Sequence, residues 1–135
     1  MTKITEICDR IQLLFQQYGI KSITMDDIAV RLGCSKKTLY NYFKDRKDLV
    51  LKVISADMKK HESEVLKVVN ESLHPIDELF KLNTVSVNKI KTIHPSAQYD
   101  LKKYYPKSWE IFDRTNKQLT YKICIKNLKK GIKTG

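Results

Sequence analysis

Along most of this chain apolar residues recur with a period close to 3.6, the signature of helices that bury one face. The first run is Ile4, Ile7, Ile11, Leu14, Phe15 and Tyr18, with Lys3, Glu6, Asp9, Arg10, Gln16 and Gln17 on the other side. It predicts a helix over 3–18, closed by Gly19, a residue able to take the left-handed backbone of a helix C-terminus. Two much shorter helices fit between Ile23 and Leu49. Thr24 is placed to cap the first, Asp26 and Asp27 put negative charge at the positive end of its dipole, and Ile28, Ala29 and Leu32 make its apolar stripe. Gly33 ends it, and Ser35 is the N-cap of the second, from Lys36 to Phe43. The tight corner Gly33-Cys34-Ser35 makes the pair a helix-turn-helix, with the first helix as the buttress that two short helices need.

A longer helix follows from Lys44 to about Val69, carrying Leu49, Val50, Val53, Ile54, Met58, Val65, Leu66 and Val69, with a polar belt from Lys59 to Glu64. Pro75 opens another, from Ile76 to about Ile93, whose apolar residues are Leu79, Phe80, Leu82, Val85, Val87 and Ile90. A short helix lies between Pro95 and Pro106. A last one runs from about Lys107 to Lys130, after which Gly131 and Gly135 break the pattern. Gly (4) and Pro (3) are scarce, and the β-branched and aromatic residues fall within helical patterns, so the expected fold class is all-α.

The second short helix has two unlike sides. Leu39 and Phe43, four residues apart, face the protein, while Lys37, Thr38 and Asn41 project away, with Tyr40 and Tyr42 on the flanks. Hydrogen-bonding groups with one cation suit base edges and phosphates in a major groove. A solvated polar face would have the same composition, and this helix alone does not decide between them.

The wider pattern does decide. Thr24, Ile28-Ala29, Gly33-Cys34-Ser35, Leu39-Tyr40-Asn41-Tyr42-Phe43, Arg46 and Leu49 together resemble the DNA-binding domain of the TetR family of transcriptional regulators. Cys34 stands where that family usually has Val, and Arg46 where it usually has Lys. The resemblance implies a three-helix DNA reader over 1–46, followed by a helical effector and dimerisation domain over 47–135, with the long helix linking them. It implies DNA contacts at Thr24, Ser35, Lys36, Lys37, Thr38, Tyr40, Asn41, Tyr42 and Arg46, the last as a phosphate contact. It also implies a palindromic double-stranded operator, a homodimer, and a repressor whose operator affinity a small-molecule effector lowers. Most such proteins are longer, and their dimerisation helices come after the point where this sequence stops, so the second domain is expected to be incomplete. The alternative is a helical interaction or ligand-sequestering module derived from such a regulator, without DNA function.

Charge supports that picture without locating the site. The net charge is +11, but residues 1–50 hold nine Lys or Arg against six Asp or Glu, and Lys102 to Lys133 alone holds ten against two. Basic charge favours nucleic acid generally. The basic side of the last helix can suit a membrane surface or an acidic partner, but a solvated face is the commoner reason for such a pattern.

Other chemistries find little footing. Three isolated cysteines without a C-x-x-C pair, and His61, His74 and His94 on separate elements, suggest neither a disulfide framework nor a metal site. Cys34, beside the reader, is a structural thiol or a redox switch. There is no phosphate-cradling glycine loop and no usable nucleophile, base and orienter, so no cofactor and no enzyme activity are expected. No run approaches the ~18 apolar residues of a membrane span, and a cytoplasmic protein is expected. Tyr99, Tyr104, Tyr105, Trp109 and Phe112 form the most aromatic part of the chain, lining an effector pocket or simply filling the core.

Overall fold

The computed structural model describes residues 3–71 and 74–134, and among these it contains seven helices and no strand. They are α1 (Lys3–Tyr18), α2 (Met25–Leu32), α3 (Lys36–Tyr42), α4 (Arg46–Asn70), α5 (Pro75–Thr92), α6 (Ala97–Tyr104) and α7 (Pro106–Thr134). The helical caps are local and follow from sequence. Thr24 and Asp27 form a reciprocal capping box at the start of α2. Gly33, at φ 71°, closes α2 with Gly33 N–H donating to the Val30 carbonyl at 3.1 Å and Cys34 N–H to that of Ala29 at 3.0 Å. Pro106 begins α7, where its missing N–H leaves no intrahelical bond unmade.

α4 is the spine. It packs against α1, α5 and α7, and α7 packs in turn on α5 and α6. One continuous core joins the reader to the rest: Ile11 and Phe15 of α1, Ile28 of α2, Leu39 and Phe43 around α3, Leu49, Val50 and Val53 of α4, and Leu101 of α6 are all buried. Gly131 does not end the last helix, which continues through Thr134; a lone glycine costs about 1 kcal/mol there, and α7 is held near this end by the hydrogen bond from Asn127 to the Pro75 carbonyl. The expected break at Gly135 lies outside the described residues.

α5 turns most of its apolar pattern outward. Pro75 and Glu78 are buried and Leu82 and Val85 half-buried beside them, while Ile76, Leu79, Phe80 (69% exposed), Val87 and Ile90 point outward. Polar tethers account for this. Asn127 of α7 donates from Nδ2 to the Pro75 carbonyl at 3.0 Å and to Glu78 Oε1 at 3.2 Å, Lys130 pairs with Glu78 at 3.4 Å, and Lys89 pairs with Asp57 of α4.

His61 is likewise buried, inside what the sequence presents as a polar belt, and its Nδ1 has no hydrogen-bond partner among the described residues. Burial, and then the Lys89 ammonium, hold its pKa below the ordinary 6.5, against smaller opposing effects of Glu64 and Asp57. The fold therefore favours the neutral ring. That share of stability is present above pH 6.5 and is lost as pH falls towards the lowered folded value. The thermal midpoint should accordingly drop more steeply from pH 7 to pH 5 in the wild type than in His61→Leu, as circular dichroism melts would show; parallel curves would exclude His61 as the cause.

Candidate nucleic-acid interface

α3 is fixed from behind and bare in front. Leu39 and Phe43, each 1% exposed, anchor it to the core. Burying a side chain of this size is worth about 1.5–3 kcal/mol, so the orientation of this short helix is set by packing rather than by its own helix propensity. Lys37, Thr38, Tyr40 and Asn41 are exposed on its outer side, and Tyr42 is half-buried, its ring 6.5 Å from that of Phe43. Ser35 accepts from Thr38 N–H at 3.0 Å, and the two hydroxyls lie 2.9 Å apart. Thr24 and Ser35 thus spend side-chain oxygens on capping, and both remain exposed. Lys36 reaches across to Asp26 of α2 at 3.2 Å, an exposed pair worth about 1 kcal/mol or less. Among the described residues Lys37 has no ion-pair partner, leaving it the unengaged cation of the outer face.

Arg46, expected as a phosphate contact, has its guanidinium turned towards the protein. Its Nε donates to the Tyr105 hydroxyl at 2.7 Å, one Nη donates to the Ile20 carbonyl, and the other Nη is buried with no hydrogen-bond partner among the described residues. Two of its nitrogens thus tie the first turn of α4 to the α1–α2 loop and to the corner between α6 and α7. The cations left facing outward here are Lys44 and Lys47, both exposed. A second set of bonds reinforces the joint: Lys21 N–H donates to Asp100 Oδ2 at 3.3 Å and Lys21 Nζ to the Tyr104 hydroxyl at 3.0 Å. The Lys21 ammonium is held above its ordinary pKa, and the Tyr104 phenol below its own, chiefly by that hydrogen bond.

The five aromatic residues expected around an effector do not enclose one space. Tyr99 is 62% exposed and accepts from Lys103, Tyr104 and Tyr105 serve the joint, and Trp109 and Phe112 stack against each other at 5.7 Å and pack on the core. Phe112 borders a cavity of only about 30 Å³. A larger cleft of about 340 Å³ opens between α4, α5 and α7, lined by Leu66, Val69, Leu119 and Ile123 with Glu62 and Lys122 at polar positions, and none of the five touches it. Sequence offered little to find it by, since the three walls come from helices far apart in the chain. Among the described residues no cluster has the makings of a metal site, and no helix is long and apolar enough to cross a membrane.

A capped short helix seated on two buried side chains, preceded by a glycine-closed partner and followed by a long spine helix, defines the class of helix-turn-helix proteins. The model of the tetR family of bacterial regulatory proteins matches residues 7–53. Over residues 7–53 the chain is therefore of the TetR type. It is 32% identical over 103 residues to the uncharacterized HTH-type transcriptional regulator YvaF of Bacillus subtilis, covering 74% of this chain and 53% of that protein. It is 33% identical over 81 residues to an HTH-type transcriptional regulator of Staphylococcus aureus, covering 60% of this chain and 42% of the other. The chain thus spans about half the length of the curated relatives it matches. The ketosteroid transcriptional regulator KstR2 of Mycobacterium tuberculosis has the same fold, with a TM-score of 0.74 at 20% identity over 99% of this chain and 70% of that one.

Proposed function

We propose that this protein is a sequence-specific DNA-binding transcriptional regulator, a repressor acting in the cytoplasm as a homodimer on a palindromic operator. The observation that carries the reading is the outer face of α3, where Lys37, Thr38 and Asn41 stand exposed on a helix whose inner side is locked by Leu39 and Phe43. That face has the size and donor–acceptor character of a major-groove reader. Thr24, Ser35, Lys36, Tyr40 and Tyr42 frame it at the rim. Residues 1–46 form the reading unit in this proposal and 47–135 the regulatory one. The cleft between α4, α5 and α7 is the place for a small-molecule effector, being partly apolar and within the size range of ligand sites. The outward apolar face of α5 is the surface available for a second copy.

Selection from a random duplex library tests the proposal. A regulator of this kind enriches one sequence with two inverted half-sites about one helical turn apart, because two readers related by a two-fold axis bind together. A DNA-independent module enriches nothing, and a lone reader enriches a single half-site.

A further inference from the structure

We propose that the DNA-contacting surface extends past the helix-turn-helix onto the first turn of α7, where Lys107, together with Lys44 and Lys47, engages the phosphate backbone. This rests on the DNA-binding reading above and adds a contact from outside the reading unit.

The Arg46–Tyr105 hydrogen bond brings the corner between α6 and α7 against the start of α4. The two sides meet in a surface cleft of about 480 Å³, with Lys44 and Lys47 on the reader side and Lys107 on the other. Two acids also line it, but both are engaged locally. Asp48 accepts from Lys44 N–H at 2.9 Å and pairs with Lys52 at 3.1 Å, while Asp45 caps α4 by accepting from Asp48 N–H at 2.8 Å. The backbone bond to Lys44, ahead of that to Lys52, holds the Asp48 carboxyl below its ordinary pKa, so it stays ionised and committed. None of the three lysine ammonium groups has an ion-pair partner among the described residues. Lys107 also sits at the positive end of the α7 dipole with no acid in that first turn, a position that local electrostatics disfavours for a cation. Three lysines without a close ion pair outnumber the two carboxylates of the cleft, of which Asp48 also feels the Lys44 charge, and the net positive surface suits an external anion. The neighbouring reader makes a polyphosphate backbone the fitting one. Because Arg46 is occupied inside the protein, the phosphate work beside α3 falls to these lysines.

The test is the salt dependence of binding by the full chain, read by fluorescence anisotropy on two probes: a 30-base-pair duplex of random sequence and the palindrome recovered by selection. Each neutralised phosphate contributes about 0.9 to the slope of log K against log salt. Lys107→Ala is expected to lower that slope by about 0.9 per bound subunit on both duplexes, about 1.8 for a homodimer, leaving the ratio of the two affinities unchanged. Lys129→Ala is the control. It removes the same charge from the exposed far part of α7, roughly 33 Å along the axis at 1.5 Å per residue, which is several screening lengths away, and should leave the slope unchanged. A wild-type slope in Lys107→Ala overturns the proposal, as does an equal drop in both variants, which would mean a general field rather than a contact. If the wild type instead binds both duplexes with equal affinity, the sequence-specific reading fails first, while the Lys107 slope still reports its own contact. Wild-type protein that binds neither duplex overturns both.

Discussion

Alanine at Lys37 and Asn41 together is expected to erase the preference for the selected palindrome over random duplex while leaving the fold intact. Both side chains are exposed, so their removal opens no cavity and strands no buried partner. Each good base contact carries about 1–3 kcal/mol of discrimination, and a symmetric pair of readers loses it in both half-sites. The combined loss should therefore reach at least two orders of magnitude in the specificity ratio. Affinity for random duplex should fall far less, because it rests on phosphate contacts made elsewhere. Asparagine removal alone should relax choice at one base position, whereas Lys37→Ala should also trim the salt slope if its ammonium reaches a phosphate as well as a base. Thermal midpoints within a degree or two of wild type are part of the expectation. A double variant that still selects the same palindrome would move the reading surface away from the outer face of α3.

The reader was legible in sequence because everything that shapes it is local. The Thr24–Asp27 box spans four residues, the Gly33 closure reaches back only to Ala29 and Val30, and Ser35 caps its own helix. Apolar period then places Leu39 and Phe43 inward without any knowledge of the partner. What sequence did not reveal was set by contacts across the chain. Arg46 meets a tyrosine 59 positions away, so the charge that matches a phosphate-binding pattern turns inward for a reason invisible in its own neighbourhood. The facing of α5 depends on Asn127, 52 positions from Pro75, and on two ion pairs that draw its polar side in. His61 is buried because the spine is covered at that level, whatever the polarity of residues 59–64. The aromatic run from Tyr99 to Phe112 has the composition of a pocket, yet the hydroxyls of Tyr104 and Tyr105 are spent on the joint, the rings of Trp109 and Phe112 on the core, and Tyr99 lies exposed. Periodicity gives the direction of a side chain relative to its helix axis, not which neighbour the helix turns towards.

The joint at Arg46 leads to the second large effect. Arg46→Ala is expected to lower stability by about 2–4 kcal/mol, since two charge-assisted bonds are lost and the Ile20 carbonyl and Tyr105 hydroxyl are left short of a donor in a half-buried site. In a chain of this size that corresponds to a fall of roughly 10 °C in the thermal midpoint. Arg46→Lys should recover only part of it, because an ammonium lacks the planar fork that serves two acceptors at once. Tyr105→Phe removes one of the two bonds and should cost less, about 1–2 kcal/mol, and combining it with Arg46→Ala should add little, as partners in one bond are not additive. DNA binding should weaken on all sequences through loosening of the reader, with the salt slope unchanged. A phosphate contact predicts the reverse: a slope lower by about 0.9 per bound subunit, an unaltered thermal midpoint, and near-full rescue by lysine. That outcome would place the guanidinium outside, and would remove the physical link between the reader and the corner on which Lys107 sits.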